Sequence, residues 1–293
     1  MTTPDQSWCD APERPALAEG EVHVWRACLS PGRARLLELR QSLSDDELER
    51  ARRFHFDRDR EHFVAARGAL RDILCRYTGT PPERLRFTYD AYGKPALGEA
   101  AGRRLRFNVS HSNGLALYAV TAGREVGIDI EFVREDFASL EVAAHFFSAQ
   151  EVSALRSLPP GEQAGAFFDC WTRKEAYIKA RGEGLSHPLH LFTVSLKPGE
   201  PAALLRTEDD PSEATRWTLH ELSAGEGYRA ALAVEGAPAS LSRWRWDISS
   251  VAAPTRSKAY LMANCQPWGS TVRSPSRGIP PRWSSATRSL MAS

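Results

Sequence analysis

Cysteine is sparse in this sequence. Cys9, Cys28, Cys75, Cys170 and Cys265 form no CxxC pair and no metal-spaced cluster, and an odd count argues against a closed disulfide framework. A reducing compartment, the cytoplasm, is the expectation. An excess of one charge is also lacking. The 38 Lys and Arg against 37 Asp and Glu leave a formal net charge of +1, so no global field draws nucleic acid or a membrane, and any anion site must be local. No apolar run approaches the ~20 residues of a membrane span. Met1 to Ala18 carries Asp5, Asp10 and Glu13 among prolines, without the basic leader and apolar stretch of a signal peptide. A zinc-helix histidine motif, a Walker loop and a GxGxxG fingerprint are missing too, which argues against the commoner nucleotide-binding folds.

What remains is a chain of 293 residues, enough for one or two compact units. Glu21 to Leu29 reads as a strand. Ser44 with Glu47 forms a capping box that opens a helical pattern running almost to Tyr77, with Phe54, Phe63, Leu70, Ile73 and Leu74 as its apolar face. The same stretch carries Arg50, Arg52, Arg53, Arg58, Arg60, Arg67 and Arg71, which interleaved acids equally allow to be a solvated face. Arg84 to Tyr89 alternates as a strand, and Tyr92-Gly93-Lys94-Pro95 is a turn. Leu105 to Ser110 and Leu115 to Thr121 make a hairpin over Ser112-Asn113-Gly114. A strand at Gly127 to Phe132 precedes helices at Ser139 to Phe147, Ser148 to Leu158 and Ala164 to Ala180, with Gly182 and Gly184 as the stop. Leu191 to Leu196, Arg216 to Leu222 and Tyr228 to Val234 complete the strands. The class is α+β, and no short-period internal repeat is visible. The predicted organisation is a flexible stretch over 1–20, α+β halves at 21–125 and 126–247, and a Ser-, Pro- and Arg-rich tail over 248–293 that is expected to be disordered and functionally silent.

Chemistry concentrates in two segments. In Gly127-Ile128-Asp129-Ile130-Glu131 the period of two puts both carboxylates on one face and both isoleucines on the other. On the helix, Phe168, Trp171, Glu175 and Ile178 share one stripe, so Glu175 lies among apolar neighbours, which is costly unless a cation or a polar network compensates it. The bland alternatives are a solvated acidic pair and an i,i+4 pairing of Glu175 with Lys179. Convergence of Asp129, Glu131 and Glu175 would instead supply hard oxygen ligands for one Mg²⁺, with phosphate oxygens completing the shell and Lys174 or Lys179 completing a phosphoryl-transfer clamp. Phe107-Asn108-Val109-Ser110-His111-Ser112 invites a hydrolase reading, but adjacent strand residues face opposite ways, so Ser110 and His111 cannot act as nucleophile and base together. His111 at a strand end suits phosphate binding or a structural cap.

Taken in order, Tyr92-Gly93-Lys94-Pro95, Phe107 to Ser112, Gly127 to Glu131, Phe146-Phe147-Ser148 with Glu151, and Trp171 with Lys174-Glu175 and Lys179 resemble the 4′-phosphopantetheinyl transferase superfamily. The branch resembled is the surfactin-type (Sfp-like) one, over roughly Val22 to Val234. The resemblance implies two similar α+β halves about a pseudo-twofold axis, a monomer, and a site in the cleft between the halves. It implies that phosphopantetheine passes from coenzyme A to a serine of an apo acyl or peptidyl carrier protein, releasing adenosine 3′,5′-bisphosphate. By the same resemblance Asp129, Glu131 and Glu175 hold Mg²⁺, Lys179 contacts the pyrophosphate, and Ser110 and His111 bind phosphate groups. Lys94 lies near the nucleotide, Arg60 and Arg67 approach the 3′-phosphate, Glu151 is the general base, and Phe132 to Gln163 borders the carrier protein. Another Mg²⁺-dependent phosphotransferase or phosphodiesterase, or a non-catalytic carrier-binding module, are the alternatives.

Overall fold

The structure, a computed structural model, describes residues 8–98, 104–182 and 187–246. The predicted tail over 248–293 and the second helix stop at Gly184 lie outside the described residues. The order of elements nearly repeats. A first strand β2 (Glu21–Cys28) leads to helices α1 (Arg33–Gln41), α2 (Asp45–Arg52) and α3 (Asp57–Thr78), a 3₁₀ turn, a small hairpin β3 (Phe87–Tyr89) and β4 (Pro95–Leu97), and the strands β5 (Leu105–Ser112) and β6 (Leu115–Ala122). Strand β7 (Val126–Phe132) then leads to α4 (Leu140–Phe146), α5 (Ala149–Arg156) and α6 (Pro160–Arg181), a 3₁₀ turn, the hairpin β8 (Phe192–Val194) and β9 (Leu204–Thr207), a single turn α7 (Glu213–Arg216), and β10 (Trp217–Glu221) and β11 (Tyr228–Glu235). In both series the third helix has 22 residues and ends at a left-handed glycine, Gly79 or Gly182.

The sheets repeat as well. In each, the opening strand pairs antiparallel with the closing one, which pairs in turn with the penultimate, giving β2-β6-β5 and β7-β11-β10. The first sheet gains two strands: β12 (Ser240–Arg245) lies parallel to β2, and β1 (Cys9–Asp10) lies parallel to β12. One apolar core joins the two sheets, with Val22, Val24, Leu117 and Ala119 meeting Ile128, Ile130, Leu232 and Val234. The even-numbered face of β7 is therefore internal, as the alternation predicts, and the odd-numbered face is left for α6.

Within the N-terminal stretch 1–20, Trp8 packs into the shared core, its indole donates to the Ser223 carbonyl at 2.7 Å, and Arg26 stacks on its ring. One expectation needs correction. The helical pattern from Ser44 to Tyr77 breaks into α2 and α3. Phe54 folds back onto Phe63, with ring centroids 5.3 Å apart, and Phe56 enters α3 from an extended conformation. The short elements β1, β9, β12 and α1 carry too little periodicity to be read from sequence. Among the described residues no helix is long and apolar enough to cross a membrane. Cys9, Cys28, Cys75 and Cys170 are free thiols.

Candidate active site

The odd face of β7 meets α6 at unusually short range. A Cβ placed on Gly127 would strike the Ala176 carbonyl and the Ala180 amide, so only glycine lets the helix settle this closely on the strand. That approach brings Glu175 and Lys179 over Asp129 and Glu131, and β5 closes the third side.

Asp129 is buried, and its Oδ1 accepts from Lys179 Nζ at 2.5 Å and from Ser110 Oγ at 2.8 Å. Glu131 Oε2 accepts from Ser112 Oγ at 2.9 Å. Glu175 is buried on the predicted stripe with Phe168, Trp171 and Ile178. Lys179 does not choose its i,i+4 neighbour. Its ammonium reaches across to Asp129 and to Ser110 Oγ at 3.2 Å.

The electrostatics are those of crowded like charges. Burial, and then the neighbouring Asp129, push Glu131 up to about 8. Burial pushes Glu175 up to about 7, opposed by Lys179 and reinforced by Asp129. Burial alone would lower Lys179, but Asp129, Glu175 and Glu131 hold it above its ordinary value. Among the described residues no three His, Cys, Asp or Glu side chains stand close enough to form a ready ligand cage. Two features nevertheless fit a cation. Asp129 Oδ2 and Glu175 Oε1 are both buried with no hydrogen-bond partner, and an orphaned carboxylate oxygen is costly unless something positive meets it.

Nitrogen-bearing side chains lie around this cluster, with His111 nearest to Lys179, His62 and Arg50. His111 is open to solvent at the end of β5, with protein packed around it. That crowding, followed by the charges of Lys179, His62 and Arg50, lowers its imidazole to about 4. Lys94 donates to the Lys179 carbonyl at 2.7 Å and lies 3.6 Å from Glu125, and burial pulls its pKa down. Arg60 is ion-paired to Asp57 at the start of α3 and remains partly exposed. Neither His62 nor Arg50 stands out in the sequence. Their place beside His111 depends on how α2 and α3 fold back on the β5–β6 turn, where a Cβ on Gly114 would lie 3.8 Å from the His62 ring.

Several predicted site residues are engaged within the fold. Glu151, the predicted general base, lies away from the acidic cluster, against α6 and β8. It is 1% exposed, its Oε2 accepts from the Ser148 amide at 2.8 Å and pairs with Lys174 Nζ at 2.8 Å, and its Oε1 accepts from the Val194 amide at 2.7 Å. Lys174 is likewise engaged, because it is fully buried and donates to the Leu189 and Phe192 carbonyls at 2.8 and 2.5 Å. A cavity of about 390 Å³ beside them, between α5 and the β8–β9 hairpin, contains no member of the acidic cluster. Arg67 is spent within the fold, with Nε on Glu47 at 2.7 Å and Nη2 on the Tyr89 hydroxyl at 2.7 Å. The Ser110 hydroxyl is turned inward to Asp129 and Lys179.

Comparison with known proteins follows the division of the fold. Residues 27–124 match the family model described as 4′-phosphopantetheinyl transferase, N-terminal. Residues 125–233 match the model of the 4′-phosphopantetheinyl transferase superfamily. The 4′-phosphopantetheinyl transferase HetI of Nostoc sp. is 42% identical over 231 residues, 78% of this chain and 94% of that protein. The 4′-phosphopantetheinyl transferase Sfp of Bacillus subtilis is 34% identical over 154 residues, 53% of this chain and 66% of that protein. The human L-aminoadipate-semialdehyde dehydrogenase-phosphopantetheinyl transferase is 28% identical over 220 residues, 70% of this chain and 71% of that protein.

Proposed function

This chain belongs to the 4′-phosphopantetheinyl transferase superfamily, and from that premise we propose how its residues carry out the transfer. The enzyme moves 4′-phosphopantetheine from coenzyme A to a serine of an apo carrier protein. Its product besides the holo carrier is adenosine 3′,5′-bisphosphate. Acyl or peptidyl carrier domains of fatty acid, polyketide or nonribosomal peptide synthases are the proposed acceptors.

The observation that carries the site assignment is the pair of buried, unpartnered oxygens, Asp129 Oδ2 and Glu175 Oε1, in the cluster where Lys179 pairs with Asp129. Asp129, Glu131 and Glu175 would hold Mg²⁺, which when bound neutralises charge on the phosphate oxygens. Lys179, held protonated by the acids around it, donates to the pyrophosphate oxygens and stabilises the charge that grows on the leaving group. His111 supplies a neutral N–H donor, and Arg50, Lys94 and Arg60 supply positive charge, to the remaining phosphates of coenzyme A. As the serine oxygen bonds to the β-phosphorus, the bond from that phosphorus to the bridging oxygen breaks. The electron pair leaves on adenosine 3′,5′-bisphosphate. With both Glu151 oxygens engaged by the fold, the serine proton passes to solvent. Because one chain contributes β5 and β7 to the same cleft, a monomer suffices, and the exposed thiols of Cys9 and Cys28 support a reducing, cytoplasmic setting.

The test is incubation with coenzyme A, Mg²⁺ and an apo carrier protein, followed by intact-mass measurement. A mass gain of one phosphopantetheine on the carrier is expected. Hydrolysis of coenzyme A with no mass added would favour a phosphodiesterase, and carrier binding with coenzyme A intact would favour a non-catalytic module.

A further inference from the structure

Strands β5 and β7 are edge strands of different sheets and share no backbone ladder. Side chains spaced two apart on β5 take its place. Asn108 Oδ1 accepts from the Ile128 amide at 2.9 Å, Ser110 Oγ donates to Asp129 Oδ1 at 2.8 Å, and Ser112 Oγ donates to Glu131 Oε2 at 2.9 Å while accepting from the Phe132 amide at 3.1 Å. The comb thus touches both the backbone of β7 and two of its carboxylates.

We propose that Ser112 is a positioning residue for the transfer reaction, fixing the Glu131 carboxylate in the acidic cluster through a hydroxyl that the Phe132 amide orients. A serine hydroxyl carries one hydrogen. With the Phe132 N–H occupying its acceptor side, that hydrogen is delivered to Glu131, and the bond closes a loop from the carboxylate to the backbone one residue further along. Asp129 is held twice, by Ser110 and Lys179, whereas among the described residues the Glu131 carboxylate accepts from Ser112. Glu131 is only partly buried and is repelled by two neighbouring acids, so without this bond it is free to rotate toward water. The inference rests on the assignment of Glu131 to the metal-holding set. Partners that orient a metal ligand typically change metal affinity by about 10–100-fold when removed.

The experiment uses the full chain saturated with coenzyme A in the absence of carrier protein, so that no turnover occurs, and titrates Mg²⁺ calorimetrically. Ser112→Ala is expected to weaken Mg²⁺ binding about 10-fold, Ser112→Thr to restore it, and Asp129→Asn to abolish it. Thermal melts in chelator separate this effect from simple loosening of the fold. Wild-type Mg²⁺ affinity in Ser112→Ala, or a lowered melting temperature with affinity unchanged, overturns the positioning role while leaving the metal assignment intact. Undiminished Mg²⁺ binding in Asp129→Asn removes the metal assignment, and the role of Ser112 with it.

Discussion

Glu151 and Lys174 form an ion pair 2.8 Å across in which neither side chain is more than 1% exposed. Removing one charge from such a pair strands the other in a medium that solvates it poorly. Glu151→Gln is therefore expected to lower the unfolding free energy by about 3–5 kcal/mol, while the folded fraction retains transfer activity. Chemical denaturation paired with turnover measured well below the melting temperature checks both halves. Wild-type stability with lost turnover would return Glu151 to the role of proton acceptor.

Two acids of the cluster separate charge repulsion from pairing. Glu175→Gln removes a charge that repels its neighbours, so the melting temperature in chelator is expected to hold or rise, whereas Asp129→Asn also strips Lys179 of its partner and is expected to lower it. Phosphopantetheine transfer should nevertheless fall about 100-fold or more, because the oxygens that meet the cation and oppose Lys179 are gone. Near-normal turnover in either variant would contradict the metal assignment.

Gly127 tests the seam between strand and helix. A methyl group there collides with the Ala176 carbonyl and lies 3.0 Å from the Ala180 Cα, and backbone cannot yield as a flexible side chain can. Gly127→Ala is expected to cost about 1–3 kcal/mol of stability through overpacking. Because α6 must lift with Glu175 and Lys179 aboard, turnover at a temperature where the variant is fully folded should also decline. Retention of both properties would show that the helix has room to move.

The raised carboxylates set a pH dependence with a definite sign. Glu131 at about 8 and Glu175 at about 7 both lie above the ordinary 4.5 in the metal-free protein. Between those limits the folded protein binds protons that the unfolded chain has released, so stability from this source is complete below about 4.5 and is lost as pH rises toward 8. Melting temperature in chelator should fall over that window, and the Glu131→Gln, Glu175→Gln double variant should fall less. Identical slopes for parent and double variant would sink this account.

The sequence made the acids of β7 and α6 legible because strand and helix periods are local: Ile128 and Ile130 alternate with Asp129 and Glu131, and Glu175 shares a stripe with Trp171. The partners of those acids were not legible. Lys179 stands one turn from Glu175 and yet reaches Asp129, and Glu151 sits in a recognisable motif while its oxygens are filled by Lys174 and Val194, more than twenty and forty residues away. The partner of Arg67 was hidden for the same reason, since Glu47 lies on another helix. Main elements could be read from period and caps, whereas the short strand β12 could not, because its pairing with β2 is a matter of tertiary context.

That pairing bears on how the chain is made. Synthesis from the N-terminus delivers β2, β5 and β6 early, but the strand that covers the other flank of β2 is Ser240–Arg245. Throughout translation of the intervening residues, β2 presents unsatisfied amides and carbonyls to whatever is nearby, a known invitation to mispairing. A ribosome that stalls before Ser240 would release a product with its first sheet unsealed along β2.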